Sequence, residues 1–120
     1  MRRLRSLTIV LGLGGCSTSK QDWFEKFEEL TVDGFCAPTQ YFRQCFEIDE
    51  AGCRKLASET IHACGMKTFD QLPDRLDRAD GEKFGRIIGS CAGGEYDRRM
   101  AAQGKRHGGG KCDDPTAWVP

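Results

Sequence analysis

This chain of 120 residues contains seven cysteines, and these are its residues with the greatest capacity for chemistry. Cysteine thiolates bind metals or attack substrates in a reducing compartment, whereas cysteines of exported proteins form disulfides. The spacing argues against a zinc site, since no two cysteines are separated by only two residues. We therefore predict no metal and no cofactor, and the compartment decides whether the thiols crosslink. The cysteines are Cys16, Cys36, Cys45, Cys53, Cys64, Cys91 and Cys112.

The segment around Cys91 matches the Gly-x-nucleophile-x-Gly elbow of acyl hydrolases. Residues 89–93 read GSCAG, and His107 precedes three glycines that could supply an oxyanion loop. An elbow requires a strand before it and a parallel sheet beneath it, but the residues before Cys91 have helical periodicity. We expect no enzymatic activity, with a hydrolase as a minor alternative, and we predict that Cys91 forms a disulfide.

The N-terminus predicts the compartment. Residues 1–6 are basic, residues 7–13 are apolar, and two glycines precede Cys16. A basic start, a short apolar core and small residues at the exit are typical of a cleaved secretory signal. The apolar run is far shorter than the roughly 20 residues needed to cross a bilayer. We therefore predict export from the cytosol.

Leu13-Gly14-Gly15-Cys16 resembles the lipobox of bacterial lipoproteins, in which a leucine lies three residues before the cysteine. The resemblance implies that signal peptidase II cuts before Cys16, that diacylglycerol is attached to its thiol and that its new amino group can be acylated. Two or three acyl chains anchor a protein stably where one does not. Because Ser17 rather than aspartate follows, the resemblance implies an outer-membrane location facing the periplasm. The alternative is an ordinary secretory signal.

The remainder of the chain has helical periodicity, so we predict a small all-α, disulfide-stapled domain. The predicted N-caps are Ser19, Asp49 and Asp80, and Gly65 is expected to end the third helix. The predicted helices cover residues 20–30, 38–47, 50–64, 81–92 and 95–103. The predicted organisation is a signal peptide at 1–15, a lipidated N-terminus and linker at 16–19, a helical disulfide domain at 20–103, and a Gly-rich tail at 104–120 tied by Cys112.

Lipidation of Cys16 leaves an even number of cysteines, which can pair in many ways. The helices at 38–47 and 50–64 are separated by a short turn, so we predict an antiparallel helical hairpin. Folding the chain at this turn brings Cys45 opposite Cys53, and Cys36 opposite Cys64. The predicted disulfides are Cys36–Cys64, Cys45–Cys53 and, by elimination, Cys91–Cys112.

Charge is distributed unevenly along the chain. Without its three N-terminal arginines, the chain retains 15 of its 18 basic residues against 18 acidic ones, a net charge of −3. This composition argues against a nucleic-acid binder, which would be strongly basic. Residues 98–111 carry five basic side chains and no acidic one. We predict that Arg98, Arg99, Lys105 and Arg106 steer the domain onto an acidic partner or anionic lipid headgroups; the alternative is a solvated tail.

These features predict a lipid-anchored envelope protein that acts as a non-enzymatic binding or inhibitor module. In layout it resembles the lipoprotein immunity factors that protect bacteria against toxins delivered into the periplasm. The expected partners are the membrane, through acyl chains on Cys16, and a periplasmic protein. We predict neither nucleic-acid binding nor a small-molecule substrate. The alternative function is a structural or assembly accessory of an envelope or secretion complex.

Overall fold

The computed structural model describes residues 17–118, and these form a bundle dominated by three long helices. The predicted signal peptide and the predicted lipidation site at Cys16 lie outside this range. The helices are α1 (Lys20–Phe35), α2 (Tyr41–Gln44), α3 (Glu50–Thr68) and α4 (Arg78–Ala102), with short 3-10 segments at Phe69–Gln71, Gly110–Asp113 and Pro115–Trp118. Two-residue strands, β1 (Thr18–Ser19) and β2 (Arg75–Leu76), pair antiparallel. The prediction of an all-α, disulfide-stapled domain is confirmed.

Helix starts follow the local capping chemistry of the sequence. The side chains of Ser19 and Asp49 each accept the backbone N–H three residues further on, at 3.2 and 2.7 Å, as predicted. The start of α4 was predicted one turn too late. Asp77 is its N-cap, and Asp80 completes a capping box in which each aspartate accepts the other's backbone N–H.

Helix ends depended on contacts distant in sequence. The predicted helices at 81–92 and 95–103 are one continuous helix, α4, which passes through Gly93-Gly94. Gly65 does not end α3, which continues to Thr68. The predicted helix 38–47 contracts to the single turn of α2, because the chain after it pairs with a later segment. There the Glu47 N–H donates to the Lys105 carbonyl, and the His107 N–H donates to the Cys45 carbonyl.

The core lies between α1, α3 and α4, and α3 packs mainly against α4 and α1. The side chains of Ile61, Ile88 and Tyr96 are completely buried there. A smaller cluster consists of Leu72, Phe84 and Leu76, the last of which belongs to β2. Because α2 is only one turn long, the predicted hairpin of 38–47 and 50–64 is reduced to that turn against α3.

All three predicted disulfide pairs are wrong, although the six cysteines are all crosslinked. The helix contacts explain the difference. The end of α1 lies beside the first turn of α3, and the two antiparallel helices α3 and α4 face each other along their lengths. The shortened α2 leaves Cys45 facing the C-terminal segment instead of α3. The observed disulfides are Cys36–Cys53, Cys64–Cys91 and Cys45–Cys112, with Cα atoms 5.7, 5.9 and 5.5 Å apart.

Residues 103–118, here called the strap, follow α4 and cross back over α2. The predicted irregular tail at 104–120 thus contains two 3-10 segments where the structure describes it. Positive φ angles at Gly104, Gly109 and Gly110, of 68°, 98° and 57°, allow the chain to reverse. Cys112 ties the strap down as expected, but to Cys45 rather than Cys91.

Candidate functional site

An open groove of about 430 Å³ lies where α1, α2, α4 and the strap meet. We call it the aromatic groove. It is lined by Gly34, Phe35, Gln40, Tyr41, Phe42, Gly93, Gly94, Asp97, Pro115 and Trp118. Its walls are mostly carbon, and its polar side chains are those of Gln40, Tyr41, Asp97 and Trp118. This combination is typical of ligand sites in proteins.

A row of glycines runs along α4, and its last member, Gly93, lines the groove. The row places a glycine at every fourth position, which is one side of the helix. A Cβ atom built at Gly81 would lie 2.9 Å from the Trp23 indole nitrogen, and one at Gly85 would lie 3.2 Å from Phe27. At these positions the missing side chain lets α1 rings lie directly on the backbone of α4. The members of the row are Gly81, Gly85, Gly89 and Gly93.

At Gly34 of α1 and Gly89 of α4, no ring occupies the place of the missing side chain. A Cβ atom built at Gly34 or at Gly89 would meet no atom of residues 17–118 within 4 Å. Gly93 contacts Phe42, with 3.2 Å from a built Cβ atom to the ring. The groove is therefore open beside Gly34 of α1, and Gly93 and Gly94 line it on α4.

The rings of the groove stand in two orientations. Phe35 and Phe42 stack with centroids 4.1 Å apart and planes 18° apart. Tyr41 is nearly perpendicular to Phe42, with an interplanar angle of 81°. Trp118 of the strap meets Tyr41 at 63°, with centroids 6.0 Å apart. The groove therefore presents both faces and edges of aromatic rings, which attract opposite parts of another ring.

The polar groups beside the groove form a closed triangle that we call the polar latch, made of Tyr41, Asp97 and Arg106. The Tyr41 hydroxyl donates to Asp97 Oδ2 at 2.8 Å, and Arg106 Nε donates to Asp97 Oδ1 at 3.1 Å. Arg106 Nη2 donates to the Tyr41 hydroxyl at 3.3 Å and to the carbonyl of Cys112 at 3.1 Å. Burial, followed by the hydrogen bond to Asp97, raises the pKa of Tyr41.

Two of the predicted partner-binding residues already pair with acids on the helices. Arg98 donates to Glu95 at 2.6 Å, and Arg99 approaches both Glu95 and Glu59, at 3.4 and 3.5 Å. The hydrogen bond from Arg98 lowers the pKa of Glu95. These guanidinium groups are thus part of a mixed-charge surface.

The other two residues of that prediction belong to the strap. Arg106 is held in the polar latch by Asp97, and Lys105 lines a second open pocket together with Glu47 and Glu59. The structure therefore does not gather the four basic side chains into one acid-free patch. Partner binding at them stays a prediction.

The hydrolase-like motif does not form an elbow. Residues 89–93 lie in the middle of α4, and the Cys91 sulfur is bonded to Cys64. His107 lies in the strap, where its backbone N–H donates to the carbonyl of Cys45. Gly89 and Gly93, which produced the motif, belong to the glycine row of α4.

Neither a metal site nor a membrane-spanning helix is found among residues 17–118. In this part of the chain, no cluster of three or more His, Cys, Asp or Glu side chains is arranged to bind a metal ion. None of the described helices combines the length and the apolar character needed to cross a bilayer.

Neither the groove nor the polar latch was predicted from the sequence. The four glycines spaced by four residues in α4 could have predicted close contacts between helices. The meeting of Tyr41, Asp97 and Arg106 had no comparable signal, because these residues are separated by as many as 65 positions.

Comparison with known proteins connects the domain to a secretion pathway. The family model for the T2SS substrate NttA, a substrate of type II secretion, matches residues 17–104. The match spans α1 to α4 and ends just inside the strap. Searches of curated proteins and of solved structures found no match. Because the family model covers most of the chain, the protein belongs to the NttA family.

Proposed function

We propose that this protein is exported from the cytosol, forms its three disulfides in the periplasm and becomes a substrate of type II secretion. Outside the cytosol it acts as a non-enzymatic binding module without a cofactor. Membership of the NttA family is the observation that carries the proposal. The basic and apolar start of the chain, residues 1–13, supports export independently.

The disulfides support the same route. Disulfides form and persist in oxidising compartments such as the periplasm and are rare in the cytosol. Cys45 and Cys53 are completely buried, and Cys36 and Cys64 are nearly so. Crosslinks at these positions are part of the packed core. The domain therefore has to reach its oxidised fold after it leaves the cytosol.

We propose in addition that Cys16 is lipidated, so that the exported domain stays attached to the outer membrane. The lipobox-like residues 13–16 motivate this step. Type II secretion favours a partner outside the cell over immunity against a toxin in the periplasm, because a secreted inhibitor would leave the compartment that it protects. An accessory role in an envelope or secretion complex is the competing function.

Cell fractionation tests the export proposal. The full chain with a C-terminal tag is expressed in a Gram-negative strain with a type II secretion system and in an isogenic strain that lacks its outer-membrane channel. We expect the protein outside the periplasm in the first strain and inside it in the second. Equal distribution in both strains, or an intact chain with free thiols in the cytosol, contradicts the proposal.

A Cys16→Ser variant serves as the matched control for the lipid. We expect the parent protein in the membrane fraction, with a mass that shows acyl chains on Cys16. The variant carries no such lipid, whether or not its signal peptide is cleaved. We expect it to be absent from the outer-membrane fraction. If the parent protein is released into the medium without acyl chains, the chain has an ordinary secretory signal, and only the anchor is refuted.

A further inference from the structure

We propose that the aromatic groove is a binding site for a small, uncharged, ring-bearing molecule. The inference rests on the proposed binding function and names the ligand class. It differs from the sequence-based expectation, which included no small-molecule partner.

The charges around the groove favour an uncharged ligand. Among the described residues that line it, Asp97 is the only carboxylate, and both of its oxygens accept hydrogen bonds, from Tyr41 and from Arg106. A charged group entering the groove would lose water without gaining an unpaired opposite charge, which is costly. An uncharged ring loses little by leaving water.

The shape of the groove favours a flat ring. Phe35 and Phe42 stack on each other, and Tyr41 stands nearly perpendicular to Phe42. A planar guest can therefore stack on one ring and meet the edge of another. A Cβ atom built at Gly34 would meet no atom of the described chain within 4 Å, so the guest can approach the backbone of α1 there.

The size of the groove favours a small molecule over a protein surface. Its volume of about 430 Å³ lies within the range of roughly 300–1,000 Å³ that is usual for small-molecule sites. A stable interface between proteins, including one between two copies of this chain, buries about 1,200 Å² or more. The ten residues that line the groove provide only a fraction of such a surface.

Two glycines provide a matched pair of variants. A Cβ atom at Gly34 or at Gly89 meets no atom of the described chain within 4 Å, so either position accepts a side chain without a clash at Cβ. Gly34 lines the groove and Gly89 does not. Gly34→Leu therefore fills the groove, whereas Gly89→Leu makes the same change on the neighbouring helix outside it. Both variants replace a helical glycine, so neither is expected to unfold the domain.

The test uses the exported protein, purified with its disulfides intact, and the uncharged fluorescent dye N-phenyl-1-naphthylamine. Indole, benzylamine and benzoate serve as neutral, cationic and anionic competitors. We expect saturable dye binding that indole displaces at concentrations about tenfold lower than either charged competitor. We expect Gly34→Leu to weaken dye binding by about tenfold or more, and Gly89→Leu to leave it unchanged.

Several results would overturn the inference. These are absence of saturable dye binding, equal binding by Gly34→Leu and the parent protein, or equal displacement by the charged competitors. A dimer of the parent protein that Gly34→Leu dissociates would show that a second copy covers the groove. Both variants should still be exported. If the protein is secreted normally but does not bind the dye, only the proposed ligand site is refuted. If it binds the dye but is not secreted, only the proposed secretion route is refuted.

Discussion

The helical body, residues 20–102, and the strap, residues 103–118, are held in place by different kinds of contact. The body has a continuous core in which Ile61, Ile88 and Tyr96 are fully buried. Among the described residues of the strap none is buried, and only Arg106, Cys112 and Trp118 are even partly covered. The strap is held to the body by a few separate contacts, which are one disulfide, the polar latch and two backbone hydrogen bonds beside α2.

This difference matters because the aromatic groove uses both regions. Phe35, Phe42 and Gly93 come from the body, whereas Pro115 and Trp118 come from the strap. Regions with few buried contacts open locally at a lower free-energy cost than a packed core. We therefore expect the strap wall of the groove to move while the helical wall stays in place. The family match, which ends at residue 104, also covers the helical wall and not the strap wall.

The largest expected effect is the loss of one of the two disulfides inside the body, Cys64–Cys91. Replacing Cys64 and Cys91 together with alanine should lower the free energy of unfolding by about 2–5 kcal/mol. This disulfide joins the two longest helices across the core and closes a loop with a sequence separation of 27 residues. Guanidinium denaturation followed by far-UV circular dichroism measures the change.

The matched variant replaces Cys45 and Cys112 with alanine. It should keep the helical signal in the absence of denaturant, while amide exchange accelerates in residues 103–118. If this variant instead loses its helices in the absence of denaturant, the body depends on the strap, and the proposed distinction between the two regions is wrong.

A second comparison concerns two glycines of the body with opposite expected effects. Gly65→Ala should lower the free energy of unfolding by about 1–3 kcal/mol, because the new Cβ atom would overlap the buried ring of Phe24. Gly89→Ala should raise it by up to about 1 kcal/mol, because alanine favours a helix and has open space there. Thermal and chemical denaturation of the two variants check the signs. Equal destabilisation by both would show that the α1 contacts do not distinguish these glycines.

The polar latch should act on the strap more than on the body. Arg106→Met removes three hydrogen bonds, to Asp97, Tyr41 and the carbonyl of Cys112. We expect it to weaken strap docking by about 1–2 kcal/mol, seen as faster amide exchange in residues 103–118. Arg98→Met is the control, since that pair with Glu95 is exposed to solvent and should contribute little to stability. Equal exchange in both variants would mean that the latch does not hold the strap.

The smallest expected effect is a dependence of the free energy of unfolding on pH, caused by a tyrosine of the body. Burial raises the pKa of Tyr96 from 10.0 to about 12, so its phenol ionises at lower pH in the unfolded chain than in the folded body. The stability that depends on the protonated phenol is therefore present below pH 10 and lost as the pH rises towards 12. The loss should be about 1 kcal/mol by pH 11.

The matched measurement uses Tyr96→Phe, which should show a shallower decline of the free energy of unfolding above pH 10. Part of the decline should remain, because the pKa of Tyr41 in the polar latch is also raised. The same slope in the variant and the parent protein would contradict a role for Tyr96 in this pH dependence.

Local chemistry accounts for the features that were predicted correctly. Ser19 and Asp49 cap their helices because a cap needs only a side chain and a backbone N–H three residues away. The spacing of apolar residues favoured helices in the same local way. The even number of cysteines after Cys16, together with a secretory signal, predicted a crosslinked domain but not its pairs.

Contacts between distant segments determined the rest. A glycine inside a helix costs up to about 1 kcal/mol relative to alanine, so Gly65 and Gly93 look like helix ends when only their neighbours in sequence are considered. Phe24 and Phe42 pack against these glycines and support a continuous helix. The disulfide pairs and the aromatic groove have the same origin. They depend on which helices meet, and that outcome is settled by the packing of the whole core.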